Sequence, residues 1–251
     1  MKKIAILTVF VAQSLMISGI FTGCDEGGKS SESMKHFFRG KGLSEDGRYD
    51  EAIEEYTKAI ELDPHLALAY NNRGYAYGNL SQHNQAISDY TKAIELDPNL
   101  ALAYNNMGHS YNLLGEYEQT IANCTKAIEL DPDYAHAYNN RGHTYSTLGQ
   151  YNQAIADCTK AIELNPDYAH AYGNRGKVYG NLGQYNQAIA DCTKAIELDP
   201  NYTHYYSNRG MSYKALGKKA EAIADFEVAI TLSDDPQWIE WAEGKIEGLS
   251  K

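Results

Sequence analysis

His136, His170 and His204 are spaced by 34 residues, and so are Cys124, Cys158 and Cys192; His109 and His143 keep the same interval. Imidazole and thiolate are the usual ligands of a structural metal. Within one helix, however, His136 and His143 lie about 10 Å apart along the axis. Helices packed side by side add a further ~8–10 Å. No three rings then converge at ~2.1 Å on one ion, so neither a metal nor another cofactor is expected. The thiols at that spacing are too far apart for disulfides and read as small buried hydrophobes. No nucleophile elbow, phosphate loop or HExxH pattern occurs. Carboxylates such as Glu61 and Asp63 recur at every interval, which marks a solvated rim rather than an acid–base pair. An enzyme is not expected.

The interval itself is the dominant signal. Pro64, Pro98, Pro132, Pro166 and Pro200 follow one another every 34 residues, and Pro236 closes the series. The chain has 251 residues, is 43% hydrophobic and carries a net charge of −11. It is too apolar to be disordered, and its charge argues against a nucleic-acid partner, which needs clustered Lys and Arg. With Pro at position 32 of each repeat, six repeats cover 33–66, 67–100, 101–134, 135–168, 169–202 and 203–234, and 235–251 remains.

Each repeat reads as two helices. Large residues at positions 4 and 11 flank a glycine at position 8 (Gly40, Gly74, Gly108, Gly142, Gly176, Gly210), forming one stripe that must be buried against a neighbour. Gly115, Gly149, Gly183 and Gly217 stop the first helix, and Asp63-Pro64 and its equivalents end the second. A 34-residue hairpin is too short to fold alone, so stability must come from stacking. The segment 235–251 places Trp238, Trp241, Ala242, Ile246 and Leu249 at spacings of three and four, which suits a helix capping the last repeat.

Tyr138, Gly142 and Tyr145, then Ala154 and Cys158, then Pro166, resemble the tetratricopeptide repeat pattern, six times in register. The resemblance implies an all-α fold: a right-handed superhelical α-solenoid of six helical hairpins plus the C-terminal capping helix. It also implies a protein–protein interaction scaffold whose first helices line a concave groove at positions 2, 5, 6, 9, 12 and 13. Repeats four and five differ at 7 of 34 positions, and four of those are groove positions: Asn139/Gly173, His143/Lys177, Ser146/Gly180 and Thr147/Asn181. A groove specialised for a ligand would diverge in this way; neutral drift on an exposed face would leave the same pattern.

Position 6 is instead constant, as Asn72, Asn106, Asn140, Asn174 and Asn208. An amide side chain offers a donor and an acceptor, which suits the backbone of an extended peptide or a bond within its own repeat. Similar ladders hold peptide backbone in some members of the family. Side-chain choice would then fall to position 9, where Tyr75, His109, His143 and Lys177 stand. The paired lysines of the family's carboxylate clamp are absent. A partner docked on the convex or lateral surface, as in an assembly subunit of an envelope complex, is the alternative.

A second pairing is structural. Position 7 carries Arg39, Arg73, Arg141, Arg175 and Arg209, and position 23 of the same repeats carries Glu55, Asp89, Asp157, Asp191 and Asp225. Repeat three has Met107 and Asn123 instead. A half-buried Arg needs an anionic partner, so each is expected to cross to the acid of its own repeat or else to reach water along its stem.

The N-terminus reads as an export signal over 1–23. Lys2 and Lys3 precede an apolar run that ends in Phe21-Thr22-Gly23-Cys24. This resembles the bacterial lipoprotein cleavage box, with Phe21 where Leu is usual, and implies lipidation of Cys24. An uncleaved anchor or an ordinary signal is the alternative. Residues 24–32 are polar and small and read as a flexible tether. Loss of 1–23 removes two lysines and no acid, leaving −13. The expected location is the bacterial cell envelope, with the protein held to a membrane by lipid and its partner an envelope or exported protein.

Overall fold

The computed structural model describes residues 26–250, and these form thirteen α-helices with no strand among them. The first helices of the six repeats are α1 (Glu26–Glu45), α3 (Ala67–Asn79), α5 (Ala101–Leu113), α7 (Ala135–Thr147), α9 (Ala169–Asn181) and α11 (Thr203–Ala215). Their hairpin partners are α2 (Tyr49–Leu62), α4 (His83–Leu96), α6 (Tyr117–Leu130), α8 (Tyr151–Leu164), α10 (Tyr185–Leu198) and α12 (Lys219–Thr231), and α13 (Pro236–Ser250) follows. The signal segment 1–23 and Cys24 lie outside the described residues.

Helix boundaries follow local chemistry. Gly47, Gly115, Gly149, Gly183 and Gly217 end the first helices at φ between 73° and 78°, a left-handed conformation that costs glycine little. Repeat two places Ser81 there at φ 60°. Helices α2, α4, α6, α8 and α10 each stop at an extended Asp or Asn before a Pro. That side chain then accepts the backbone N–H two residues on, as Asp63 does from His65 at 3.0 Å.

Close approach within each hairpin rests on position 8. A Cβ added at Gly74 would meet the Tyr90 ring at 2.8 Å, and one at Gly142 would meet Cys158 Sγ at 3.0 Å. The facing surface is made of small residues: Ala52, Ala86, Ala154 and Ala188 are fully buried beside Cys124, Cys158 and Cys192. Burial pushes all three thiols up to about 12, so they are protonated and unreactive at neutral pH. On α13, Leu249 and Ile246 pack into the cluster around Phe226, the partly exposed Trp241 ring meets Phe226 edge-on, and Ala242 is fully buried.

Successive first helices touch one another along the stack, from α1 against α3 to α9 against α11, whereas successive second helices are held apart. The first helices therefore crowd the inside of the curve, which makes their free face the concave one.

The segment read as a tether is not one throughout. Helix α1 begins at Glu26, so 26–32 extend the first repeat's helix. Ser33 is buried with its hydroxyl on the Ala59 carbonyl at 2.9 Å, and Glu32 pairs with Lys35 at 2.7 Å. Both contacts favour continuing the helix past the repeat boundary.

Candidate functional site

Three adjoining cavities run along the first helices. One of about 280 Å³ lies between Tyr75, His83, Tyr90, Asn106, His109 and Leu113. A second of about 450 Å³ is lined by His109, Leu113, Asn140, His143, Asn174, Lys177, His204 and Asn208. The third, about 280 Å³, reaches from Lys177 and Asn208 to Ala215. Shared walls at His109 and Leu113, and again at Lys177 and Asn208, make them one groove. It gathers every groove residue expected from the sequence except Asn72, whose Oδ1 accepts from Asn71 at 2.9 Å.

The asparagine ladder works differently from the expectation. Asn106 Nδ2 donates to Asn71 Oδ1 at 3.2 Å, Asn140 to Asn105 at 2.9 Å and Asn174 to Asn139 at 2.9 Å. Position 5 is therefore a buried acceptor for the next repeat, with Asn71, Asn105 and Asn139 all buried, and Asn105 and Asn139 also form part of the groove wall. The Asn106, Asn140 and Asn174 amides brace the stack. Replacing them with alanine would leave buried acceptors unpaired, so they serve stability as well as any ligand.

Repeat five breaks this brace. Gly173 stands at position 5, and Asn208 in the next repeat makes no side-chain hydrogen bond with the described chain. The vacated space is filled by Tyr205, which replaces the alanine found at position 3 in Ala69, Ala103, Ala137 and Ala171. Tyr205 is only 2% exposed, and a Cβ at Gly173 would lie 2.2 Å from its ring.

Along one wall, tyrosines and histidines alternate. His136 packs on Tyr134 and Tyr168 with ring centroids 5.9 and 4.7 Å apart, and His170 packs on Tyr168 and Tyr202 at 6.1 and 5.0 Å. His136 Nδ1 is 2.9 Å from the Tyr168 hydroxyl, and His170 Nδ1 is 2.6 Å from that of Tyr205. These histidines are thus held by phenols. Among the described residues no cluster of three or more His, Cys, Asp or Glu can hold a metal ion. Burial lowers the His109, His136, His143 and His204 imidazoles below their ordinary range, and Lys177 adds to the effect at His143 and His204. At the Tyr75 end, His83 Nδ1 is buried without a partner.

The position 7 arginines lie outside the groove. Arg73, Arg141, Arg175 and Arg209 each grip Asp89, Asp157, Asp191 and Asp225 with two hydrogen bonds of 2.7–2.9 Å. The third nitrogen donates to a threonine of the preceding repeat, Thr57, Thr125, Thr159 or Thr193, at 2.9–3.0 Å. Arg141 also sits between Tyr138 and Tyr145, 5.8 and 6.0 Å from their ring centroids. The motif therefore ties repeats together as well as closing each hairpin. In repeat three Met107 meets Thr91 instead, Sδ to hydroxyl at 3.8 Å. Arg39 is the loose member: it is exposed and 3.9 Å from Glu55, whose carboxylate is taken by His36 and Lys58.

The sequence held one signal that motif reading passed over. Helices α3, α5, α7, α9 and α11 contain no Asp or Glu at all, in a chain of net charge −11. The acids sit on the second helices, where Glu95, Glu129, Glu163 and Glu197 pair with lysines three residues earlier, in the turns and on the terminal helices α1 and α13.

Comparison with known proteins agrees with this architecture. Models of the tetratricopeptide repeat match 67–100, 101–134, 135–168, 169–202 and 203–236, and a TPR repeat model matches 40–81. Tetratricopeptide repeat protein 36 of Caenorhabditis elegans is 55% identical over 38 residues, 15% of this chain, which spans 21% of that protein's length. The crystal structure of YrrB, described as a TPR protein with an unusual peptide-binding site, is 25% identical with a TM-score of 0.55, over 75% of this chain and 97% of that one. Pseudomonas aeruginosa pilF shares the fold at 17% identity and a TM-score of 0.74, over 87% and 99% of the two chains. Repeats of this kind build protein-interaction scaffolds, and no enzyme family is indicated. Since the helical hairpins, their stacking and the repeat models coincide over more than half of its length, the chain belongs to the tetratricopeptide repeat family.

Proposed function

We propose that this chain is a lipid-anchored scaffold at the bacterial envelope that binds an extended segment of another protein in the groove between Tyr75 and Ala215. The observation that carries the reading is the continuity of that groove across five repeats, lined by Asn106, Asn140, Asn174 and Asn208 and by the varied residues of position 9. Leu113, 54% exposed between the first two cavities, offers an apolar contact that no neighbour covers. The peptide-binding site described for YrrB supports a peptide ligand here by analogy. Photo-crosslinking tests it. A crosslinking amino acid placed at Leu113 is expected to capture the partner in envelopes, and one at the exposed Glu129 on a second helix is not. Capture from Glu129 alone would favour docking through the convex surface.

The anchor stands on the Thr22-Gly23-Cys24 box, and among the described residues no helix is long and apolar enough to cross a membrane. Cys24→Ala is expected to abolish metabolic palmitate labelling and leave an unprocessed precursor. A mature N-terminus at any residue other than Cys24 would refute the lipoprotein assignment.

A further inference from the structure

We infer that the groove contains a carboxylate-binding subsite where repeats four, five and six meet, formed by Lys177, Asn208, His143 and His204, and that its occupant is an acidic residue of the bound peptide segment. The inference rests on the groove being the binding face.

Three observations converge on it. First, charge is segregated: no carboxylate lines the three cavities and α3, α5, α7, α9 and α11 contain none, although the chain as a whole is strongly acidic. Second, among the described residues Lys177 has no acidic partner, whereas Lys92, Lys126, Lys160 and Lys194 on the second helices are each paired with a glutamate. Third, the Gly173 break leaves the Asn208 amide without the acceptor that Asn106, Asn140 and Asn174 each find one repeat back. Lys177 and Asn208 both wall the second and third cavities, so the ammonium and the free amide share the junction between them. An ammonium and an amide N–H directed at one carboxylate make charge-assisted hydrogen bonds, the stronger kind.

The imidazoles make the subsite pH-dependent. Facing it are His109 from α5, His136 and His143 from α7, His170 from α9, His204 and Tyr205 from α11, and Tyr168 and Tyr202 from the preceding turns. Asp199, in the turn before α11, acts on Tyr205. Burial first, and Lys177 second, hold His143 and His204 below the ordinary histidine value of 6.5. A histidine depressed in this way stabilises the free protein above that value, and the contribution is lost as pH falls through the depressed one. A bound carboxylate reverses the balance by favouring the imidazolium, so binding takes up protons. Affinity rises as pH drops from 7.5 to 5.5, a range in which a glutamate side chain, with a pKa of about 4.3, stays ionised.

Three probes separate the sources of the carboxylate: the peptide acetyl-AGEAEGA-amide, its glutamine analogue acetyl-AGQAQGA-amide, and that analogue with a free C-terminus. Titration into the ¹⁵N-labelled protein, followed by amide chemical shifts, is expected to move Lys177, His143, His204 and Asn208 with the glutamate peptide. Its affinity should be about tenfold higher at pH 5.5 than at 7.5 and about tenfold lower in Lys177→Gln, with Lys160→Gln unchanged. Binding of the free-terminus analogue alone would assign the subsite to a chain end and overturn the side-chain occupant. Equal affinity of the glutamate and amidated glutamine peptides at these residues would remove the carboxylate subsite and keep the groove. Absence of groove shifts with every probe would also overturn the inference, and crosslinking from Leu113 would still decide the groove itself.

Discussion

Arg141→Met is expected to destabilise the chain by about 2–3 kcal/mol, and adding Asp157→Asn to recover more than half of the loss. Removing one partner of a buried ion pair commonly costs 3–5 kcal/mol because the other charge stays buried. The lower figure applies because the Arg141 side chain keeps 17% of its exposure and Asp157 10%, so water screens part of the field. The substitution also frees Thr125 of its donor and removes the cation from between Tyr138 and Tyr145. Repeat three shows that the neutral solution folds, since it carries Met107 and Asn123 at the same two positions. The double variant rebuilds that solution, which is why the two changes should not add. Urea melts of wild type, both single variants and the double variant measure the coupling. Additive losses would mean that each Arg contributes through packing alone and that the carboxylate is incidental.

Gly173→Ala is the second test with a large expected effect, and its sign runs against ordinary helix propensity. Glycine inside a helix usually costs about 0.5–1 kcal/mol relative to alanine, so the substitution would stabilise most helices. Here the added Cβ falls 2.2 Å from Cε1 and 2.6 Å from Cδ1 of Tyr205, a ring that is almost fully buried. Overpacking of this kind costs about 1–3 kcal/mol, and Gly173→Ala is expected to lose at least that. Tyr205→Ala alone should cost about 3–5 kcal/mol, the usual range for emptying a large aromatic site. Gly173→Asn combined with Tyr205→Ala is expected to restore much of the stability. It reproduces the residues one repeat earlier, where Asn139 donates to the Tyr168 hydroxyl at 3.2 Å and accepts from Asn174, and Ala171 holds the position equivalent to Tyr205. The restored amide would engage Asn208, so the same double variant should lose affinity for the glutamate peptide while keeping its fold. Thermal and urea melts check the first statement and the amide-shift titration the second. A Gly173→Ala variant as stable as wild type would show that Tyr205 swings clear at little cost.

The two tests mark where sequence reading reached and where it stopped. Evenly spaced prolines, the glycines after most first helices and the stripe of positions 4, 8 and 11 were enough to place six hairpins and the terminal helix. Those signals are local: a proline or a left-handed glycine ends a helix wherever it stands. The pairing of Arg73, Arg141, Arg175 and Arg209 with Asp89, Asp157, Asp191 and Asp225 was legible for a related reason. Both members lie in one repeat, so the single exception at Met107 and Asn123 exposes the rule. Contacts between repeats left no such trace. That each arginine also reaches a threonine behind it depends on how tightly the hairpins stack. So does the discovery that the Asn106, Asn140 and Asn174 amides are spent on Asn71, Asn105 and Asn139. The exchange of Gly173 for bulk at Tyr205 joins residues 32 apart, and it is invisible until curvature sets which side chain of one repeat enters the space of the next. Sequence alone determined the period and the helices. Tertiary structure decided which polar groups remain free to meet a ligand, because a hydrogen bond is counted only once its partner is in place.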